Sequence, residues 1–176
     1  SAVLKALSQL NSDEHFNVIF FNTRAWSLFP ESQVADIDNL NLARQRILAQ
    51  GADGGTEMRP ALFKALGGVE DKSETLRQVV FITDGAVSNE TELFSVIESG
   101  LGRSRLFTVG IGSAPNAYFM RKAAHAGRGT FTYIGKPNEV DHKMNSLLRQ
   151  IAFPSLTDLK LDLNDPGAIV LPQTLP

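Results

Sequence analysis

An apolar run, Gln78-Val79-Val80-Phe81-Ile82, leads straight into Thr83-Asp84-Gly85. A carboxylate thus stands where a buried strand breaks into a loop, and Gly85 lets the backbone turn at once. In an open parallel sheet, the carboxyl ends of the strands are where ligands bind. A second polar loop, Gly51-Ala52-Asp53-Gly54-Gly55-Thr56-Glu57, precedes a helical pattern and can face the same crevice. Together the loops offer a hydroxyl and several carboxylates. These are hard oxygen donors suited to Mg²⁺, Mn²⁺ or Ca²⁺.

Each residue also has a plainer reading. Asp-Gly is common in turns, so from its own loop Asp84 reads equally as a turn residue and as a metal-site carboxylate. Thr56 follows two glycines and precedes a helix, so its hydroxyl can serve as an N-cap. A ligating hydroxyl would sit in the same place, with Gly54-Gly55 letting the backbone approach an ion. Asp53 and Glu57 read as solvated acids favoured by the helix N-terminus.

The remaining chemistry is sparse. There is no cysteine, which removes disulfides, thiolate metal sites and a cysteine nucleophile. His15, His125 and His142 lie far apart without ligand spacing and read as surface or cap residues. Gly110-x-Gly112 follows an apolar run, but Pro115 stands where a dinucleotide loop needs its third glycine. Neither a P-loop nor a G-x-S-x-G elbow occurs. An enzyme of the doubly wound class, hydrolytic or phosphoryl-transferring, would have to use Asp84 with a second acid or base that the sequence does not convincingly supply.

The elements that must position these loops alternate in type. Helical patterns cover Ala2 to Leu10, Ile37 to Gln50 (with Leu40, Ala43, Ile47 and Leu48 as its apolar stripe), Thr56 or Glu57 to Leu66, Glu90 to Glu98, Asn116 to Ala126 and Asn138 to Ile151. Ser88 or Asn89 is the expected cap of the fourth. Short apolar runs at Phe16–Phe21, Arg77–Thr83, Arg105–Gly112 and Thr130–Ile134 read as strands, the first of them suited to a parallel sheet covered on both faces. Trp26 to Phe29 reads as a further short strand ended by Pro30. The alternation implies a three-layer, doubly wound α/β fold with a mainly parallel sheet. After Pro154 the leucines at 156, 159, 161 and 163 recur mostly at two-residue spacing, and a turn signal at Asp165-Pro166-Gly167 precedes Ile169–Leu171. A domain over 1–153 and the start of a β-rich region over 154–176 are expected.

Composition is that of an ordinary globular chain: 176 residues, 43% hydrophobic and 20% charged. A formal net charge of −2 and a pI near 5.9 argue against a nucleic-acid-binding domain. No apolar run reaches the ~18 residues of a membrane span. The chain opens at Ser1 without a methionine, which reads as a trimmed start.

Phe16-Asn17-Val18-Ile19-Phe20-Phe21-Asn22, Gly54-Gly55-Thr56-Glu57 and Phe81-Ile82-Thr83-Asp84-Gly85, in this order, resemble the von Willebrand factor type A domain. The closer resemblance is to the inter-alpha-trypsin inhibitor heavy-chain type and its bacterial surface relatives, and it covers residues 1–152. It implies a doubly wound fold whose functional centre is a metal-ion-dependent adhesion site (MIDAS) built from three loops. By match, Thr56 is the second-loop hydroxyl and Asp84 the third-loop carboxylate. The first-loop signature, Asp-x-Ser-x-Ser, occurs nowhere in the sequence. In the family it lies just before the first helix, and this chain begins within that helix, so the first strand is expected to be absent.

The resemblance implies a non-enzymatic adhesion or protein-binding module, at the cell surface, outside the cell or in a bacterial envelope. Its ion would bridge to an acidic side chain of a protein partner, and the site is incomplete in this chain. A purely structural domain of a larger surface protein is the remaining reading. Architecturally, the absent strand leaves a slot between Phe16–Phe21 and Gln78–Thr83. The expected response is filling by the tail (Leu156–Leu163 or Ile169–Leu171), or strand exchange or dimer formation with a second chain, in preference to direct pairing of the two flanking strands.

Overall fold

The computed structural model describes residues 1–51, 55–67, 75–84, 89–113 and 115–152. Its centre is a parallel sheet of β5 (Gln78–Thr83), β6 (Arg105–Ile111) and β7 (Phe131–Ile134), in that order. Val79 lies opposite Leu106 and Thr83 opposite Gly110, while Thr108 faces Phe131 and Ile111 faces Ile134. These runs are apolar on both faces, as a sheet covered from both sides requires.

Side-chain alternation along the strands builds two layers. Val79, Phe81 and Leu106 turn toward α3 (Met58–Leu66), α4 (Glu90–Gly100) and α5 (Ala117–Ala126), where Leu62, Ile97 and Phe119 are buried against them. Val80, Phe107 and Val109 turn toward α6 (Val140–Ala152) and the start of α1 (Ala2–Leu7), meeting Met144, Leu147 and Ala2. The result is a Rossmann-like α/β fold. Thr108 is fully buried in the central strand, and its Oγ1 donates to the Met120 carbonyl at 2.8 Å, which offsets the cost of removing the hydroxyl from water.

A third cluster extends from the other end of α1. Leu7 packs with Phe16, Phe29, Ala35 and Ala43, which places α2 (Ile37–Ala49) over two short antiparallel pairs. β1 (His15–Phe16) pairs with β4 (Gln33–Val34), and β2 (Ile19–Phe21) pairs with β3 (Ala25–Ser27). Phe16–Phe21 is therefore not one strand of a parallel ladder, as the sequence suggests, but two pieces with antiparallel partners. Asn17 explains the break. Its Oδ1 accepts from the Val18 and Phe29 amides at 2.8 and 3.1 Å, and its Nδ2 donates to the Phe29 carbonyl at 2.9 Å. A side chain thus takes the place of the backbone ladder between β1 and β2.

Helix ends follow their local chemistry. Asp36 caps α2 by accepting from the Asn39 amide at 2.8 Å. Leu48, expected on the buried stripe of α2, is 68% exposed, while Ala43 is fully buried. Asn89 takes the N-cap position of α4 in the left-handed region, φ 63°, without a side-chain cap bond, and Ser88 lies outside the described residues. The guanidinium of Arg77 donates to the Ala65 and Gly67 carbonyls at 3.1 and 3.3 Å, closing the orphan end of α3. Its burial lowers its pKa below the usual arginine value.

Among the described residues β2 and β5 belong to separate sheets. Among the described residues β5 pairs with β6 alone and β2 with β3 alone. Contact across the gap is made by the stacked rings of Phe21 and Phe81, with centroids 5.4 Å apart. Direct pairing of the two flanking strands is thus not what the described residues adopt. Both tail segments expected to fill the slot, and the expected β-rich region over 154–176, lie outside the described residues.

Candidate metal face at the strand ends

Asp84 is the first residue beyond β5 and is exposed. Thr56 is also exposed and lies two residues before α3. It is not the helix cap, since the N-cap position belongs to Glu57. The Glu57 amide donates to the Asn22 carbonyl at 2.7 Å, and Asn22 follows β2 directly. A Cβ at Gly55 would lie 3.5 Å from the Thr23 methyl, so the same loop rests against the β2–β3 turn. Phe21 then links β2 to Phe81, three residues before Asp84. Both predicted residues are therefore held by the strands that border the slot, each next to a strand end. Asp53, Gly54 and Gly85 lie outside the described residues.

The anchoring role of Asn22 was not assigned from sequence. It is a backbone carbonyl that does the holding, and no residue type announces it. Further along the same end of the sheet, Asn116 caps α5 by accepting from the Phe119 amide at 3.0 Å and donates to Glu90 Oε1 at 2.7 Å. Tyr133 donates its hydroxyl to the Gly112 carbonyl at 2.9 Å, fixing the turn after β6, where Gly112 adopts φ 91°. An exposed Arg59–Glu92 ion pair at 4.0 Å joins the first turns of α3 and α4. Such a pair contributes little to stability. A depression of about 390 Å³ beside it is lined by Arg59, Glu92, Ser95 and Val96, and by neither Thr56 nor Asp84.

Thr56 and Asp84 fit a hard divalent cation in kind but fall short in number. Among the described residues no group of three His, Cys, Asp or Glu side chains gathers as a metal cluster, whereas Mg²⁺ and Ca²⁺ need six or more oxygen ligands. The histidines do not join them: His15, His125 and His142 are all exposed and sit on β1, α5 and α6.

The sequence matches the von Willebrand factor type A domain over residues 1–133. This chain belongs to that family. A von Willebrand factor A domain-containing protein of Dictyostelium discoideum is 26% identical over 93% of the chain, and the human inter-alpha-trypsin inhibitor heavy chain H6 is 24% identical over 89%. The chain spans 18% and 13% of these two relatives, respectively. Among solved structures, a von Willebrand factor type A protein from Catenulispora acidiphila superposes with a TM-score of 0.73 at 23% identity, covering 82% of this chain and 35% of that one. Proximal thread matrix protein 1 from the mussel byssus, solved with a zinc-occupied MIDAS motif, superposes with a TM-score of 0.65 at 17% identity, covering 85% of this chain and 39% of its own. Von Willebrand A domains are commonly protein-binding modules, and divalent metal binding occurs among the structural neighbours of this chain. No helix among the described residues is long and apolar enough to cross a membrane.

Proposed function

We propose that this chain is a non-enzymatic adhesion or protein-binding module that engages its partner at the strand-end face carrying Thr56 and Asp84. The observation that carries the reading is the bracing of the Thr56 segment on β2 through Glu57 to Asn22, with Phe21 of β2 stacked on Phe81 of β5, the strand that Asp84 follows. A divalent cation, Mg²⁺, Mn²⁺ or Ca²⁺, would supply an open coordination position for an acidic side chain of the partner. Thr56 would contribute its hydroxyl and Asp84 its carboxylate, and the remaining donors would come from outside this sequence, which contains no Asp-x-Ser-x-Ser. An extracellular, cell-surface or bacterial-envelope setting accords with such a role.

Two measurements test this. Calorimetric titration of the 176-residue chain with Mg²⁺ or Mn²⁺ should reveal no tight site, because two ligands cannot replace the water shell of an ion that dehydrates reluctantly. Micromolar Mg²⁺ affinity abolished by Asp84→Ala would overturn that expectation. In a chain that also supplies the remaining donors, Asp84→Ala and Thr56→Ala should each weaken partner binding by about tenfold or more while leaving stability within about 0.5 kcal/mol, since both side chains are exposed on loops. A variant that unfolds, yet binds normally per folded molecule, would assign these residues to the scaffold instead.

A further inference from the structure

The charge of this chain is unevenly distributed. It carries 17 Lys and Arg and 19 Asp and Glu in all, yet the stretch from Ser99 to Asn138 holds six of the former and none of the latter. That stretch comprises β6, α5 and β7 with their connections. Two of its cations are used internally. Arg128 donates to the Gly102 and Ser104 carbonyls, and Arg105 Nε donates to the Arg128 carbonyl at 3.0 Å. They tie the foot of β6 to the turn after α5.

The cations of α5 are placed differently. Tyr118, Arg121, Lys122 and His125 recur at helical spacing and are all exposed, so they form one stripe on the outer face. Arg121 and Lys122 are held by ring faces, with Arg121 5.8 Å from the Phe131 centroid and Lys122 Nζ 4.3 Å from that of Phe94. Neither forms an ion pair among the described residues, where the one salt bridge joins Arg59 to Glu92. Nearby carboxylates are engaged elsewhere: Glu90 accepts from Asn116, and Glu139 accepts from the Gly135 and Lys136 amides. Glu98, exposed near the carboxyl end of α4, is the remaining acid on that neighbouring helix. Cations in the last turns of a helix also offset its dipole. That effect does not require an aromatic-backed pair.

We infer that the outer face of α5 is a docking surface for an acidic polypeptide segment, recognised by Arg121 and Lys122 with Tyr118 as its apolar end. Charge complementarity selects the partner, and extent selects its class. The ten residues of α5 span about 15 Å, enough for a few extended residues. An extended polyanion such as a nucleic acid, or a membrane sheet, would overrun this stripe and meet a chain whose net charge is −2. The inference is independent of the metal face and holds in the absence of divalent ions.

The test uses the 176-residue chain in EDTA at low salt, with a fluorescein-labelled polyglutamate peptide read by anisotropy. Binding should weaken about tenfold in an Arg121→Glu/Lys122→Glu double variant and fall as salt is raised. The same charge change placed on α2, Arg44→Glu/Arg46→Glu, should leave it unchanged, since both residues are exposed on a different helix. If the first double variant fails to fold by circular dichroism, Arg121→Gln/Lys122→Gln is read instead. Absence of peptide binding, equal weakening by the α2 variant, or tighter binding of a single-stranded oligonucleotide or of phosphatidylserine vesicles would overturn the inference.

Discussion

Replacing Gly129 with valine should lower the thermal midpoint of this chain by roughly 6–12 °C, the equivalent of about 3 kcal/mol for a domain of this size. Gly127-Arg128-Gly129 carries the chain from the end of α5 into β7, and it does so pressed against the start of β6. The Gly127 carbonyl accepts from the Leu106 amide at 2.8 Å. A Cβ on Gly129 would run into the Leu106 carbonyl oxygen and lie 2.8 Å from its carbon, with Phe107 Cδ1 at 3.1 Å. Leu106 and Phe107 are both fully buried, so neither can yield without disturbing the layers on both faces of the sheet. Gly55→Ala is the matched control. Its nearest new contact, at 3.5 Å, is an ordinary one, and its melting should stay within about 1 °C of the parent. A Gly129→Val protein that melts like the Gly55→Ala protein would mean that the α5–β7 turn is free to move away from β6.

That turn illustrates what sequence does and does not disclose. Gly127 is readable as the end of α5 from its place after a helical pattern, but its closeness to Leu106 is a tertiary fact with no local trace. Strands β5, β6 and β7 were legible because a doubly covered strand is apolar throughout, and their expected limits differ from the observed ones by a residue. The last helix shows the usual boundary error: Pro137–Glu139 forms a 3₁₀ turn before α6 begins at Val140. Phe16–Phe21 misled because its apolar content is that of a parallel strand, while the competing influence is the side chain of Asn17. β4, only Gln33–Val34, is too short to register as a pattern at all.

The candidate site was legible in its residue types and not in its scaffolding. Asp84 could be placed because it ends the most apolar strand, and Thr56 because glycines and a helix flank it. The alternative role for Thr56, as cap of α3, depends on one residue of phase, which only the backbone decides in favour of Glu57. The basic face of α5 is hidden in the composition because net charge averages over the chain. The acid-free stretch emerges only when position is kept, and its significance only when the helix aligns Tyr118, Arg121, Lys122 and His125.

In solution the slot between β2 and β5 should draw in a second chain. β5 is six residues long and, among the described residues, bonded along one edge. Among the described residues no strand pairs with its other edge, which lies between apolar layers on both faces, and a strand edge in such a setting recruits added strands. Each new ladder bond contributes about 0.5–1.5 kcal/mol net, so a filled edge is worth several kcal/mol before ordering entropy is deducted. The tail begins in the right place, for the Ile151 carbonyl accepts from Gln78 Nε2 at 3.1 Å, at the foot of β5. Its pattern is less apt. Asp158, Lys160 and Asp162 alternate with Leu159, Leu161 and Leu163, a sequence pattern that would give any strand one polar face, whereas both faces of the slot are covered by apolar layers. Ile169–Leu171 is apolar on both faces but covers only half the length of β5, so a longer strand apolar on both faces, from another copy, suits the slot better. Light scattering should then show mass rising above 19.2 kDa with concentration, and hydrogen exchange should show β5 amides becoming protected over the same range. A variant ending at Ala152 should behave alike. Loss of β5 protection on that truncation, with the parent monomeric throughout, would assign the slot to the tail. A monomer whose outer β5 amides exchange as fast as loop amides at every concentration would show that the edge attracts no strand at all.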